Sequence, residues 1–313
     1  MKMSASLTLF VSSLALCVGF KTFGKRMITS MKTLRMSASG YTIANQPERF
    51  ANGKKDGNVR MLDLESIYDP KEVKGKNVLV TGGNRGLGLA IVKELVDVGA
   101  NVIVTVRSPW KGLDGVEVIS GIDVTDNSCG DKLAKALNGK SVDVLVNNAG
   151  YFYGPVEKIV DKSVNFDEEM KMIDICAVGP LRITTGLMTA GLLKSGAKVA
   201  MITSQGGSID WRTVQNPEGG DYGHHMSKAA ANMMGVLVSQ ELKSKGICVT
   251  ILHPGFNKTD MTKKYEHIWE VEGAVDPSVG GKRVTHEICN MYRDPEFYQG
   301  KFINCEDGLQ IPW

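Results

Sequence analysis

A glycine-rich turn set between an apolar strand and an apolar helix restricts this chain's fold more than any other feature. Residues Thr81 to Gly88 read Thr-Gly-Gly-Asn-Arg-Gly-Leu-Gly, after Asn77-Val78-Leu79-Val80 and before Leu89-Ala90-Ile91-Val92-Lys93-Glu94-Leu95. A helix start exposes unpaired backbone N–H groups and the positive end of its dipole. Glycines let a phosphate approach that end closely. The strand before and the helix after supply the context the motif needs. The turn therefore predicts a dinucleotide site at Gly82, Asn84, Arg85, Gly86, Leu87 and Gly88. The competing reading is a glycine turn that only packs a helix on a sheet.

From residue 76 the chain alternates. Apolar, β-rich runs occupy 77–81, 101–106, 116–120, 142–147, 197–203 and 247–252, with helix-length segments between most of them. Strands apolar on both faces imply a parallel sheet covered by helices. Right-handed crossovers make it an α/β, doubly wound parallel sheet, a Rossmann fold in a single domain over 76–313. Long helices are expected around 170–193 and 222–244.

The N-terminal end reads differently. Lys2 precedes a mostly apolar run, Leu7 to Val18, shorter than the ~20 residues of a spanning helix. Residues 1–19 suit a signal peptide, and 20–40 are basic, acid-free and rich in Ser, Thr and Met, like a transit peptide. Such a two-part leader resembles those that direct proteins to plastids of secondary endosymbiotic origin. A secretory or mitochondrial destination is the alternative. Residues 41–75 read as an N-terminal arm, with 52–58 as loop.

The net charge of +3 sits in the leader, which holds six basic side chains and no acid. The domain is thus net acidic, which speaks against a nucleic-acid surface. No membrane span is expected in the mature chain. Of six cysteines none forms a Cys-x-x-Cys pair, so free core thiols are expected and no metal site.

Thr81-Gly82-x-x-x-Gly86-x-Gly88, Asn147-Asn148-Ala149-Gly150, and Pro254-Gly255 with Thr259 occur in an order and spacing that resemble the short-chain dehydrogenases/reductases. The ending, Gly300-Lys301-Phe302 through Asp307-Gly308 to Trp313, is similar to the C-factor-like carbonyl reductases of that family. The resemblance spans residues 76–313. It implies cofactor contacts from Asn148, Ala149, Gly150, Pro254, Gly255 and Thr259, and from Asp123-Val124 at the adenine.

Arg107 follows the second strand, where members of the family that prefer NAD place an acid for the ribose 2′-hydroxyl. Arg85 could reach the same spot. An arginine fork suits a 2′-phosphate, so NADP(H) is the expected cofactor. Solvated surface arginines are the bland alternative.

The resemblance also implies a Ser, Tyr, Lys and Asn active site. The serine matches Ser204 and the lysine Lys228, which would also bind the nicotinamide ribose. The tyrosine belongs four residues before that lysine, where the residue is His224. The asparagine aligns with Cys176. The usual proton donor is the phenol, kept acidic by the lysine. A histidine can be an acid near its ordinary pKa of ~6.5, but a neighbouring ammonium depresses it. Tyr222 is the second candidate donor, roughly 120° from the Lys228 face on a continuous helix.

Trp211, Arg212 and Trp269 are candidates for the cleft or for packing. His225 reads as a solvated or core-edge histidine, and His253 as a structural one, with the lining of the cofactor crevice as its alternative. Asp167-Glu168-Glu169 reads as a solvated helix start, and Met233-Met234 as helix core. The expected function is an NADP(H)-dependent oxidoreductase acting on a small carbonyl or hydroxyl substrate. A catalytically impaired NADP(H)-binding scaffold or redox sensor is the alternative, and non-redox isomerisation a third reading. A homodimer or homotetramer is the expected assembly.

Overall fold

The computed structural model describes residues 40–313. The leader readings for residues 1–39 lie outside the described residues.

Seven strands form one parallel sheet: β1 (Asn77–Thr81), β2 (Asn101–Val106), β3 (Val116–Ser120), β4 (Val142–Asn147), β5 (Leu193–Ile202), β6 (Cys248–His253) and β7 (Phe302–Asn304). Their order is β3-β2-β1-β4-β5-β6-β7. Chain direction across the sheet reverses between β1 and β4, where Val78, Leu79 and Val80 pair with Val144, Leu145 and Val146. The doubly wound single domain read from the β–α alternation is the observed architecture. Strand residues alternate between two cores, as the two-residue period of a strand requires. Leu79, Ile103, Leu145 and Val199 enter one, and Val78, Val80, Val102, Val104 and Val146 the other.

Helices cover both faces. α2 (Gly86–Asp97) lies on one side against α8 (Pro277–Arg293). Their approach is close because Gly281 has no side chain: a Cβ there would stand 2.8 Å from the Ala90 carbonyl. On the other side lie α3 (Cys129–Leu137), α4 (Phe166–Ile173), α5 (Gly179–Thr189) and α7 (Tyr222–Lys243), with the short α6 (Ile209–Gln215) before α7. Among the described residues no helix is long and apolar enough to cross a membrane. The five described cysteines are buried and unpaired.

Four expectations need correction. Residues 52–56 are helical, not loop, as part of α1 (Gln46–Asp56): Asn45 caps its start, accepting from Glu48 N at 2.9 Å, and Gly57 ends it at φ 63°. Strand β7 escaped the pattern because three residues carry no periodicity. Met233 faces solvent, not the core. Asp167 and Glu168 do stand in the first turn of α4, capped by Asn165, but Glu169 turns inward and is buried.

The arm is part of this body. Thr42 Oγ1 donates to Asp307 (2.5 Å), Asn58 Nδ2 to the Asp307 carbonyl (2.9 Å), and Arg60 pairs with the buried Glu287 (3.4 Å).

Candidate functional site

Ligands of open parallel sheets bind beyond the carboxyl ends of the strands, where strand order reverses. Here that place lies after β1 and β4. Gly82 takes φ 65°, a conformation costly for other residues, and a Cβ on it would meet Ala149 Cα at 3.0 Å. Gly88 packs onto Asn148 and the Gly82 carbonyl without room for a side chain. Asn148 is the clasp: its Nδ2 donates to the carbonyls of Thr81 (3.0 Å) and Gly82 (3.1 Å). Thr81 Oγ1 in return accepts from the amides of Asn148 and Ala149, both at 3.0 Å. Gly150 continues the chain beside Cys176 Sγ.

The start of α2 has no side-chain cap, since Arg85 stands at that position in extended conformation. The N–H groups of its first turn are therefore open to an anion. Asn84 is half-buried, and Leu87 packs into the core beneath. Arg85 and Arg107 are both exposed. Arg107 follows β2, whose Thr105 carbonyl receives the Gly82 amide (2.9 Å), so both arginines rim one edge. Asp123 is fixed by the Thr125 amide (3.0 Å) and hydroxyl (2.8 Å). Those bonds, with the Arg107 charge, hold its carboxyl below the usual range. Val124 is packed into the core beside Gly179. Pro254 and Gly255 are buried after β6, and the Thr259 methyl lies across from Gly86. These residues make a cradle that fits a dinucleotide.

The second half of the site follows β5. Ser204 Oγ accepts from the Gly206 amide (3.0 Å), which leaves its hydroxyl proton to donate outward. Gly206 is the contact point with α7: a Cβ there would stand 2.9 Å from His224 Nε2 and 3.2 Å from Ser204 Oγ. Ser204 and His224 thus flank one glycine. The next glycine, Gly207, packs against the backbone of Lys228. Lys228 sits one turn after His224 on the same helix. The His224 ring is half-buried, with Nδ1 sealed from solvent and unpartnered. Burial first, then the Lys228 charge, hold its pKa well below the ordinary value, so the ring is neutral near pH 7. His225 lies beside it, with Nδ1 2.9 Å from the Gly206 carbonyl. Tyr222 opens α7, and its hydroxyl turns toward Gly219. Cys176 occupies a widened turn between α4 and α5, where the Gly179 amide reaches back to the Asp174 carbonyl. Its Sγ meets both the amide and the carbonyl of Tyr151, at 3.5 and 3.4 Å.

An aromatic and cationic wall escaped the reading of the sequence. Phe152 stands edge-on to His224, centroids 4.6 Å apart. Lys264 Nζ lies 4.1 Å above the Phe152 ring and 3.3 Å from Asp221. Tyr265 Oη donates to Asp221 at 2.8 Å. The available signal was position: Phe152 follows β4 and Lys264 follows β6, and both strands end at this edge. Trp211 and His253 are buried, and Arg212 braces the turn by donating to the Gln205 carbonyl (3.1 Å).

Known proteins place the chain directly. A short chain dehydrogenase family model matches residues 76–268. The 1-hydroxy-2-glutathionyl-2-methyl-3-butene dehydrogenase of Rhodococcus sp. (strain AD45) is 35% identical over 244 residues, covering 75% of this chain and 99% of the relative. The C-signal protein of Myxococcus xanthus is 34% identical, covering 55% of this chain and 93% of its own length. In fold, the carbonyl reductase Sniffer of D. melanogaster superposes with TM-score 0.63 at 23% identity, covering 77% of this chain and all of that one. With the glycine turn, the Asn148 clasp and the Ser204 and Lys228 positions in this geometry, the chain belongs to the short-chain dehydrogenase/reductase family of oxidoreductases.

Proposed function

We propose that the protein is an NADP(H)-dependent oxidoreductase acting on a small carbonyl or hydroxyl compound. The observation that carries the reading is the uncapped start of α2 with Arg85 and Arg107 at its rim, at the same sheet edge as Ser204, His224 and Lys228. NADP(H), when bound, supplies hydride chemistry. The chain's own groups do the rest. The α2 amides receive phosphate, the two guanidiniums receive the 2′-phosphate, and Lys228 holds the nicotinamide ribose. Ser204 donates a hydrogen bond from its free hydroxyl to the substrate oxygen and polarises it. His224, neutral, stands in for the tyrosine as proton donor and offers its ring N–H to the same oxygen, while Phe152 and Tyr265 keep water from that side. Tyr222, with its hydroxyl near Gly219, is the less supported donor.

The test is cofactor titration and turnover over a panel of carbonyl compounds. The native protein is expected to bind NADPH at least tenfold more tightly than NADH. Arg107→Glu should remove that preference, because repulsion replaces the fork. Equal affinity of the native protein for both cofactors overturns the assignment.

A second reading is favoured by the neutral, half-buried His224: a scaffold or redox sensor that binds NADP(H) without turnover. Under either reading a plastid destination is part of the proposal, supported by the leader's composition.

The proposal includes self-association. Phe166 and Met170 on α4 (76% and 64% exposed) and Met233 and Leu237 on α7 (61% and 62%) form i,i+4 pairs of large apolar side chains left in solvent. A second copy would cover them. Met233→Glu with Leu237→Glu is expected to give a monomer in sedimentation where the native chain is a dimer or tetramer. An unchanged sedimentation coefficient overturns it.

A further inference from the structure

We propose that Arg49 of the N-terminal arm is a positioning residue for the turn that carries Ser204. The proposal rests on the oxidoreductase reading for its kinetic consequence, but its structural consequence stands apart from it.

Arg49 is 3% exposed, and a buried guanidinium needs partners for its five N–H groups. It donates from Nε to the Ile43 carbonyl (2.9 Å), and from Nη1 to Glu306 (2.8 Å). Nη2 reaches the Ala44 carbonyl (3.4 Å) and Gln205 Oε1 (3.2 Å). Its flat face lies over Trp211, 5.1 Å from the ring centroid. Gln205 stands between Ser204 and Gly206, the residue wedged against His224. The arm makes a second tie nearby, from Gln215 Nε2 to the Ala44 carbonyl (2.8 Å).

Glu306 extends the link. Gln46 Nε2 donates to both its oxygens at 3.2 Å, and Arg283 Nη1 lies 3.5 Å away. Burial pushes this carboxyl up, but Arg49 and Arg283 outweigh it and keep the group ionised. A Cβ on Gly255 would stand 2.8 Å from Glu306 Cγ, so the Pro254-Gly255 loop leans on the same cluster. One buried cation therefore joins the serine turn after β5 to the cofactor loop after β6. The family model begins at residue 76, so this brace comes from a segment outside the shared family pattern.

Lysine could keep the charge opposite Glu306 but lacks the fork that also spans Gln205. Amide hydrogen exchange of the full-length Arg49→Lys chain, with and without NADPH, tests the brace. The amides of Gly206, Gly207 and Ser208, each hydrogen-bonded within the turn, are expected to exchange about tenfold faster. Those of α2 should not change. Where the native chain turns over carbonyl compounds, kcat should fall about tenfold with the KM for NADPH within about twofold. If NADPH fails to protect residues 82–88 of the native chain, the oxidoreductase reading fails while the exchange comparison still stands. Should Arg49→Lys not fold, Arg49→Met breaks the tie to Gln205 while Glu306 keeps Arg283 as its counter-ion. Unchanged exchange at 206–208 overturns the proposal. So does equal acceleration at the turn and along α2, which is general loosening.

Discussion

Replacing His224 by tyrosine is expected to raise NADPH-dependent carbonyl reduction by about 10²-fold, the lower end of what a positioned general acid contributes. The imidazole is a poor acid where it stands. Burial and the Lys228 charge keep it neutral, and a neutral ring yields its remaining N–H proton far less readily than a phenol. A phenol on the same backbone would keep the Phe152 contact, extend further into the cleft and have its hydroxyl made more acidic by Lys228. Carbonyl-dependent NADPH consumption by the two proteins decides. A fall in rate identifies His224 as the working group. Activity in neither protein favours the scaffold.

Glu169→Gln is expected to stabilise the fold by about 3 kcal/mol at pH 8, with the gain falling below about 1 kcal/mol at pH 5. Glu169 is buried against the start of α7, where a Cβ on Gly223 would stand 2.7 Å from its Oε2. Neither carboxyl oxygen has a well-formed hydrogen bond. Burial first, then the neighbouring Glu157, raise its pKa to about 7. An acid raised on folding contributes stability that is complete below its unfolded pKa of ~4.5 and is lost as pH rises through the folded value. A tenfold difference in proton affinity between the folded and unfolded chain is worth ~1.4 kcal/mol. Glutamine imitates the protonated form at every pH, so the native chain alone loses this contribution. His253 and His286, lowered by burial to about 3 and about 4, act in the opposite sense below pH ~6.5. They cancel when the two proteins are compared at one pH. Urea midpoints at pH 5 and pH 8 provide the test, and a difference that is the same at both overturns the assignment.

The sheet was legible because parallel strands buried on both faces leave continuous runs of Val, Ile and Leu. The glycine turn was legible because glycines at fixed offsets have one backbone geometry to serve. Ser204 and Lys228 could be read from their neighbours in the chain. The wall opposite them could not: Phe152, Lys264 and Asp221 meet only when the loops after β4 and β6 fold over α7, and no local pattern encodes that. Glu169 was misread for the same reason. Its place in an acidic run suggests solvent, and only the packing of α4 on α7 reveals the face it occupies. Arg49 had no signal at all, since its side-chain partners Gln205 and Glu306 lie 156 and 257 residues away.

The bonds between the arm and the last residues also bear on the order in which this molecule is completed. Thr42 and Asp307 are separated by 265 residues, and Arg49 finds its carboxylate only one residue earlier. Closing so long a loop carries an entropic cost that nearer contacts must first reduce. A ribosome delivering this chain must release nearly all of it before Thr42 and Arg49 can reach their carboxylates. The brace on the Ser204 turn is therefore completed only when the last residues are made. The Pro254-Gly255 loop, which leans on Glu306, waits on the same last residues.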